Sequence, residues 1–256
     1  MKTLVTANQK GGVGKTSTVV HIAFDFLERG LRVAVIDLDT QANASFTLKA
    51  YQSGYFASQM FNLDAETMRQ HFSTLPDGPL ICLIESDAKL ADIVTRSVGD
   101  ASASFKSNVN TLEACGFDVV LIDTPPSLGV SLAAGLYAAD YVLSPIELES
   151  YSILGIKQMV ATIGNVRKAN PKLQFLGMMP SKMDARNPRH QRHLNELNRA
   201  YPQLMIPTNI GLRSSIAEAL ASGVPVWKIK KTAARKAAQE MRAMAEHLFN
   251  KMEIIQ

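Results

Sequence analysis

Residues 10–16 have the residue types and the spacing of a loop that binds phosphate. They follow an apolar run and lead into a helical pattern that begins near Thr16. Glycines let the backbone turn tightly and bring its N–H groups close to an anion, and the positive end of the following helix adds attraction. In such loops a lysine lies over the β- and γ-phosphates of a nucleotide, and a threonine hydroxyl ligates Mg²⁺. The residues predicted to bind the nucleotide are Lys10, Gly11, Gly12, Val13, Gly14, Lys15, Thr16 and Ser17.

Acidic residues stand at the ends of two further apolar runs. Asp37 and Asp39 follow the run 31–36, and alternation along an extended chain puts both side chains on the same side. Asp123 ends the run 119–122 and is followed after one residue by two prolines, which stiffen the next turn. In open α/β sheets ligands bind beyond the carboxyl ends of the strands, and an aspartate there can hold Mg²⁺, usually through water. We therefore predict that these carboxylates belong to the same site as the phosphate loop.

Each of these signals also has a purely structural interpretation. A glycine-rich turn can join a strand to a helix without binding anything, and an aspartate after a strand can simply cap a helix. Apolar strands that end in aspartate are common. Nucleotide binding is favoured because Lys15, Asp39 and Asp123 occur together and in this order.

The chain that must position these residues alternates between strand and helix patterns. Residues 2–8 and 31–36 are predicted strands, and the helix between them, 16–29, carries apolar residues on one side. Such a unit predicts a parallel strand pair with a right-handed crossover, and strands without alternation indicate a sheet covered on both faces. Further strands are predicted at 80–84, 117–123, 139–145 and 173–179, and further helices at 88–98, 104–115, 152–169 and 186–200, with a last helix that ends near Met252.

The composition is that of a soluble globular chain. Its 256 residues, of which 46% are hydrophobic and 20% charged, are expected to form one α/β domain over residues 1–256, or at most two small ones. No apolar run is long enough to span a bilayer and no signal peptide is visible before the phosphate loop, which favours a cytoplasmic protein. Cys82 and Cys115 lack metal-ligand spacing and are expected to be reduced.

Positive charge is concentrated in the last third of the chain. Residues 1–181 hold 14 basic and 17 acidic residues, a net charge of −3, whereas residues 182–256 hold 13 basic and 6 acidic residues, a net charge of +7. This asymmetry favours contact with a nucleic acid or another anionic surface over a merely solvated surface. The residues predicted to contact DNA here are Arg186, Arg189, Lys228, Lys230, Lys231 and Arg235, and Arg242 shares a helix edge with the last two. For the first two, a solvated basic helix face is the alternative.

The motifs resemble those of the ParA/MinD family of ATPases, and in particular its ParA-type plasmid and chromosome partition ATPases. The phosphate loop lacks the usual early glycine and carries instead the additional lysine, Lys10, of the family's deviant Walker A motif. Residues 37–43 resemble the Walker A′ motif, with Thr40 where the family has proline. Residues 117–126 resemble the Walker B strand and switch loop, and Arg213 begins a partial match to a family pattern near the carboxyl end.

The resemblance implies a doubly wound, mostly parallel α/β sheet with helices on both faces, and a Mg²⁺-dependent ATPase. In the family, the early lysine reaches across a dimer to the partner's nucleotide, and the second aspartate of Walker A′ positions the attacking water. The predicted catalytic residues are therefore Lys10, Lys15 and Asp39, and the predicted Mg²⁺ residues are Thr16, Asp37 and Asp123. Since no arginine finger or catalytic glutamine is evident near residues 37–39, intrinsic hydrolysis is expected to be slow.

The resemblance also implies partners. ATP binding would drive a face-to-face homodimer, with residues 145–155 contributing to the dimer face, and the dimer would bind DNA of the nucleoid without sequence preference. Arg213 is accordingly a predicted DNA contact. A ParB-type centromere-binding protein would stimulate hydrolysis and release the dimer. Family members that also repress transcription carry an N-terminal helix-turn-helix, and since none is seen before the phosphate loop, only non-specific DNA binding is expected.

The residues leave three assignments open. A MinD-like membrane ATPase would use a basic amphipathic C-terminal helix with large apolar residues, whereas the last helix here is rich in Ala and Met and its apolar stripe is predicted to be core. A relative of the nitrogenase iron protein would need paired cysteines beyond strand ends, but Cys82 lies inside a strand-like run. Ser181 and Lys182 follow a predicted strand and are candidates for adenine contacts, although a simple turn explains them equally well.

Overall fold

A seven-stranded parallel sheet forms the centre of the molecule. The computed structural model describes residues 1–62, 64–148 and 153–254. The strands are β1 (Lys2–Thr6), β2 (Arg32–Asp37), β3 (Gln52–Phe56), β4 (Leu80–Glu85), β5 (Val119–Asp123), β6 (Tyr141–Glu147) and β7 (Gln174–Ser181). Their order across the sheet is β3-β4-β2-β5-β1-β6-β7, and every neighbouring pair is parallel. This order confirms the predicted doubly wound α/β fold.

Helices cover both faces of the sheet. They are α1 (Lys15–Glu28), α2 (Asn43–Thr47), α3 (Ala65–Phe72), α4 (Val98–Ala114), α5 (Val130–Ala138), α6 (Ile153–Ala169), α7 (Pro188–Ala200), α8 (Ser214–Ala221) and α9 (Thr232–Lys251). Successive side chains of a strand point to opposite faces. Leu4 of β1 accordingly shares a hydrophobic cluster with residues of α1 and α9, whereas Val5 shares another with residues of α4 and α5. The absence of alternation in the strand sequences is thus explained by burial on both sides.

The structure contains short elements that the sequence patterns did not predict. No strand was predicted at the residues of β3, because this edge strand is mostly exposed and lacks the apolar run of a buried strand. Helices α2 and α3 have five and eight residues, which gives too few turns for a recognisable apolar period.

Two helix boundaries also differ from the predictions. The helix predicted at 88–98 is a 3₁₀ segment, Ala88–Thr95, and α4 begins at Val98 rather than at residue 104. Its N-cap is Ser97, whose side chain accepts a hydrogen bond from the N–H of Asp100 and so satisfies a free donor of the first turn. The helix predicted at 152–169 is observed from residue 153, and residue 152 lies outside the described residues.

The last helix is part of the core. Its predicted apolar stripe is fully buried and consists of Ala237, Met241, Met244, Leu248 and, just beyond the helix, Met252. Beside this stripe the buried carboxylate of Asp25 in α1 binds Arg29 at 2.6 Å and Arg242 of α9 at 2.5 Å. Within the described part of the chain, no helix combines the length and the apolar character that a membrane crossing requires.

A buried histidine joins α1 to the segment before α9. The Nδ1 atom of His21 lies 2.7 Å from the carbonyl oxygen of Ser17, and its Nε2 atom accepts a hydrogen bond from the N–H of Val226 at 3.2 Å. A neutral ring with its proton on Nδ1 can make both hydrogen bonds, because Nδ1 then donates and Nε2 accepts. Burial lowers the pKa of His21 to about 4, although the Ser17 carbonyl acts in the opposite direction.

We expect acid to destabilise the folded chain through His21. The folded pKa of about 4 lies below the ordinary value of 6.5, so the unfolded chain binds the extra proton between these pH values. The stability that the neutral histidine contributes is complete above the ordinary pKa and falls by about 3 kcal/mol as the pH drops through the folded pKa. Urea unfolding of the wild type and of His21→Gln at pH 7 and pH 5 measures this difference. Equal pH dependence of the two proteins would contradict the assignment.

Candidate nucleotide-binding site

The predicted phosphate loop joins β1 to α1 at the carboxyl edge of the sheet. Gly12 and Gly14 have φ angles of 75° and 94°, which residues with side chains rarely adopt. A Cβ atom at Gly14 would also lie 2.8 Å from the Oγ atom of Ser181, the last residue of β7. Glycine is therefore required at position 14 both by the turn and by the close approach of β7.

The loop borders an open cavity of about 580 Å³, which has the size of a small-molecule site. Its lining is of two chemical kinds. The polar part belongs to the loop and to the segment after β2 and includes Lys15, Thr16 and Asp39. The apolar part belongs to α2, to the segment before α8 and to α8, and its larger side chains are Phe46, Ile210, Leu212, Ile216 and Leu220. A ligand with an anionic group and an apolar ring fits this lining.

Lys15 is a buried cation at the polar part of the cavity. The residue is only 6% exposed, and its Nζ atom donates to the carbonyl oxygens of Asn8 at 3.2 Å and Lys10 at 3.3 Å. Burial lowers the pKa of Lys15, while the nearby carboxylates of Asp123 and Asp39 act to raise it. A desolvated ammonium group of this kind gains from contact with an anion, as predicted for the phosphate-binding lysine.

The hydroxyl group of Thr16 meets the carboxylate of β5. Its Oγ1 atom donates to Oδ2 of Asp123 at 2.6 Å. Asp123 is paired in register with Asp37 of the neighbouring strand β2, and both carboxylates are buried. Burial raises the pKa of Asp123, and the Asp37 carboxylate raises it further. Two buried acids at the same level of adjacent strands are electrostatically unfavourable without a cation.

Mg²⁺ fits this pair of strand ends. Among the described residues, no three His, Cys, Asp or Glu side chains are grouped as a metal site. Mg²⁺ does not require such a group, since it binds through one or two carboxylates, water and the phosphates of a substrate. Thr16 and Asp123 would hold the ion together with phosphate oxygens, and the charge of Asp37 would support it from the neighbouring strand.

Asp37, at the end of β2, and Asp39, just after it, have different surroundings. Asp37 is fully buried, and its Oδ2 atom accepts from the N–H of Ser45 at 2.8 Å and from its hydroxyl at 2.7 Å. Asp39 lines the cavity, and its Oδ1 atom accepts from the N–H of Gln41 at 3.0 Å. Asp39 is therefore the carboxylate that can contact a substrate, whereas Asp37 is held behind it. Ser45, which fixes Asp37, was not singled out from the sequence because only the folded loop brings it there.

Lys10 is held within its own chain. Its ammonium group forms an ion pair with Glu147 at the end of β6, and Lys182 contacts the other carboxylate oxygen at 3.3 Å. Although partial burial opposes it, hydrogen bonds from the two lysines lower the pKa of Glu147. Sequence patterns gave no reason to select Glu147. Of the segment predicted to form the dimer face, residues 149–152 lie outside the described residues.

Ser181 and Lys182 lie beside the phosphate loop. The Oγ atom of Ser181 approaches Gly14, and the Nζ atom of Lys182 lies 3.7 Å from the position that a Cβ atom of Gly12 would take. Both residues line the cavity, and both lie close to its phosphate loop. The structure thus places these two adenine candidates next to the residues expected to bind phosphate.

Six of the seven residues predicted to contact DNA are exposed. They are Lys228, Lys230, Lys231 and Arg235 around the start of α9, and Arg186 and Arg189 around the start of α7. The seventh, Arg213, is partly buried and forms an ion pair with Glu240 of α9. Arg242 faces α1 rather than the basic edge suggested by the helical wheel, because it binds Asp25 and stacks on Trp227 with its guanidinium carbon 3.8 Å from the ring centre.

Comparisons with known proteins agree with this geometry. A family model described as an AAA domain matches residues 1–175. The chain is 64% identical to Protein IncC of Escherichia coli, in an alignment that covers 100% of this chain and 71% of that protein. It is 30% identical to the chromosome-partitioning ATPase Soj of Thermus thermophilus, with 99% of this chain and 97% of that protein covered.

The fold is also similar to that of a solved structure. A crystal structure of cobyrinic acid a,c-diamide synthase from Mycobacterium smegmatis, with a bound ATP analogue and magnesium, is similar with a TM-score of 0.72 and 28% sequence identity. The comparison covers 98% of this chain and 94% of that one. The phosphate loop, the three aspartates and the extent of these matches identify one family. The chain belongs to the ParA/MinD family of ATPases with a deviant Walker A motif, and to its ParA-type plasmid partition proteins, which include IncC.

Proposed function

We propose that the chain is an ATP-driven plasmid partition protein whose Mg²⁺–ATP-bound homodimer binds DNA without sequence preference. The ATPase activity is supported by one observation above all, the meeting of Lys15, the Thr16–Asp123 pair and Asp39 beside one cavity. The identity with IncC and Soj supports the partition role. We assign these functions to a single domain over residues 1–256, associated with the nucleoid through its DNA binding.

Each polar residue of the site has its own task in ATP hydrolysis. The backbone N–H groups of the loop and the ammonium group of Lys15 bind the phosphates, and Thr16 and Asp123 hold Mg²⁺. When bound, Mg²⁺ neutralises charge that develops on the transferred phosphoryl group. Asp39 orients the attacking water, since this carboxylate, just after β2, lines the cavity. The ATP analogue and magnesium in the Mycobacterium smegmatis structure support this choice of ligands.

Without a partner protein, we expect the chain to hydrolyse ATP slowly. Among the described residues that line the cavity there is no glutamine, and the arginine, Arg213, is paired with Glu240. A positioned arginine contributes about 10³-fold or more to phosphoryl transfer. A ParB-type centromere-binding protein would supply or order the missing groups, so that the nucleotide state lasts until this partner arrives.

Lys10 connects the nucleotide state to assembly. In the single chain it is paired with Glu147 at the rim of the site. In the dimer implied by the family resemblance, Lys10 exchanges this carboxylate for the phosphates bound to the other copy. ATP then stabilises the dimer and the dimer stabilises bound ATP, because the coupling between two linked equilibria is reciprocal.

The exposed lysines near the start of α9 provide the contact with DNA. Lys228, Lys230 and Lys231 extend from a segment, 226–231, that contains no acidic residue. Lys231 forms a surface ion pair with Glu218 at 2.6 Å, and Lys228 lies near the carboxylate of Glu28. Such a pair is weak in water and can be exchanged for a phosphate group. If these lysines contact the phosphate backbone, binding would not depend on sequence, because the backbone is the same for every base pair.

We expect DNA rather than lipid to be retained by the protein with ATP. Co-sedimentation with DNA and with anionic liposomes, each with ATP, ADP or no nucleotide, compares the ParA-type function with the MinD-like alternative. ATP-dependent binding to DNA of unrelated sequences is the expected outcome. Binding to DNA-free liposomes without binding to DNA would support the membrane function instead.

The double variant Lys230→Glu/Lys231→Glu locates the contact. It should weaken binding equally on all sequences and flatten the salt dependence by about 0.9 in log–log slope for each lost phosphate contact. The helix itself should persist, since acidic residues are favourable at a helix N-terminus. Lys89→Glu/Lys168→Glu makes the same charge change at exposed positions elsewhere and serves as the control. If both double variants weaken binding alike, the effect is one of net charge and the contact lies elsewhere.

A further inference from the structure

A carboxylate of α9 holds the one predicted DNA-binding residue that is not exposed. The Nη2 atom of Arg213 donates to Oε1 of Glu240 at 2.7 Å, and its Nε atom donates to Oε2 at 3.3 Å. Both groups are largely shielded, with 25% of the Arg213 side chain and 14% of the Glu240 side chain exposed. The Nε–Nη2 edge that matches a carboxylate is also the edge that matches a phosphate. Arg213 therefore cannot present this edge to DNA while Glu240 occupies it.

Glu240 also holds the backbone next to Arg213. Its Oε2 atom accepts a hydrogen bond from the N–H of Gly211 at 2.9 Å. The guanidinium group of Arg213 lies directly over Gly211, since a Cβ atom there would meet Nη2 at 2.7 Å and Cζ at 3.0 Å. One carboxylate thus fixes both the backbone and the side chain of residues 211–213.

The same residues form part of the nucleotide cavity. Gly211, Leu212 and Arg213 all line it. The backbone on either side of Gly211 is bonded to the segment after β7, where the N–H of Met183 donates to the Ile210 carbonyl and the N–H of Leu212 donates to the Met183 carbonyl, both at 3.0 Å. This segment begins beside the phosphate loop, at Ser181 and Lys182. A ligand in the cavity therefore contacts the backbone that Glu240 holds.

We propose that Glu240 is a positioning residue that withholds Arg213 from DNA until a nucleotide occupies the cavity. This inference rests on the proposed ATP-dependent DNA binding. In the nucleotide-free chain Glu240 keeps the guanidinium folded over Gly211. When residues 211–213 adjust to the nucleotide, Arg213 exchanges the carboxylate for a DNA phosphate and joins the exposed lysines before α9. Glu240 thereby makes DNA affinity depend on nucleotide.

The variant Glu240→Gln tests this role with little change of shape. Its amide oxygen can still accept from the N–H of Gly211, but the charge that holds Arg213 is lost. Without nucleotide, its DNA affinity at 50 mM salt should rise by about tenfold, and its log–log salt slope should steepen by about 0.9, the values for one added phosphate contact. With ATP, wild type and variant should bind DNA alike.

Glu246→Gln is the matched control. It removes the same charge from the same helix, and its partner Arg29 keeps a second carboxylate, that of Asp25 at 2.6 Å. The salt slope of Glu246→Gln without nucleotide should equal that of the wild type. In the double variant Glu240→Gln/Arg213→Gln, the gain produced by Glu240→Gln should disappear. Two results would overturn the proposal, because either would show that the change of net charge alone raises DNA affinity. The first is a gain in nucleotide-free DNA affinity that persists in the double variant, and the second is an equal gain in Glu246→Gln.

Gly211→Ala gives a second way to release the arginine if Glu240→Gln does not fold. The φ angle of Gly211 is not in the left-handed region, so alanine is compatible with the backbone, but its methyl group occupies the space of the guanidinium. It should raise nucleotide-free DNA affinity in the same way. If the folded variants bind DNA like the wild type in every nucleotide state while the wild type itself responds to ATP, Glu240 has no such role. If the wild type shows no ATP-dependent DNA binding, the proposed function itself is wrong.

Discussion

Replacing Lys15 with alanine is expected to abolish nucleotide binding. The ammonium group is buried at the polar part of the cavity and is bonded only weakly, at 3.2 and 3.3 Å, to two carbonyl oxygens. Apart from the nearby carboxylates of Asp123 and Asp39, a phosphate group against it would compensate its burial. Loss of two charge-assisted hydrogen bonds of about 1.5–3 kcal/mol each would weaken binding by at least about 100-fold. Calorimetric titration of ATP with Mg²⁺ measures the loss.

Lys10→Ala is the control for this result. It makes the same change in the same loop, but Lys10 is paired with Glu147 and its predicted partner nucleotide belongs to the other copy. We expect this variant to bind ATP as a single chain and to fail in dimer formation. Normal ATP affinity of Lys15→Ala would show that the loop does not bind phosphate in the predicted way.

The site residues that could be predicted from sequence are those that belong to short continuous motifs. Lys15 and Thr16 belong to one continuous motif, and Asp39 and Asp123 each follow an apolar strand. Parallel strands bring their carboxyl ends to the same edge, so that a correct prediction of the strands also predicts that these residues meet. The register of β2 with β5 places Asp37 directly beside Asp123, as this reasoning requires.

The residues that sequence did not predict act through contacts between distant segments. Glu147 reaches Lys10 from a strand end 137 positions later, and Glu240 reaches Arg213 from α9. A glutamate on a helix or at a strand end has no local signature that distinguishes such a role from a solvated side chain. The exposed strand β3 was missed for a related reason, since a strand at the sheet edge needs no continuous apolar run.

The proposed mechanism gives the neighbouring aspartates Asp37 and Asp39 different roles, and their surroundings differ accordingly. Asp37 is fully occupied by Ser45 and by the N–H of Asp39, so its charge is fixed beside Asp123. The carboxylate of Asp39 accepts a hydrogen bond from the N–H of Gln41 and lines the cavity. In the proposed mechanism, binding of Mg²⁺ and orientation of water are thus separated by two residues of chain, and a substitution is expected to remove the second task without the first.

Asp39→Ala should accordingly leave ATP binding and dimerisation intact and block turnover. Removal of a residue that orients or deprotonates the attacking water costs about 10²–10⁴-fold in rate. Single-turnover phosphate release measures the rate, and size-exclusion chromatography with ATP measures the dimer, which should persist because its nucleotide is not consumed.

Asp39→Asn separates charge from loop structure, since its amide oxygen can still accept from the N–H of Gln41. If Asp39→Asn is as slow as Asp39→Ala, the carboxylate charge is required. If Asp39→Ala hydrolyses ATP at the wild-type rate, the water is positioned by another group, and the assignment of the second aspartate is wrong.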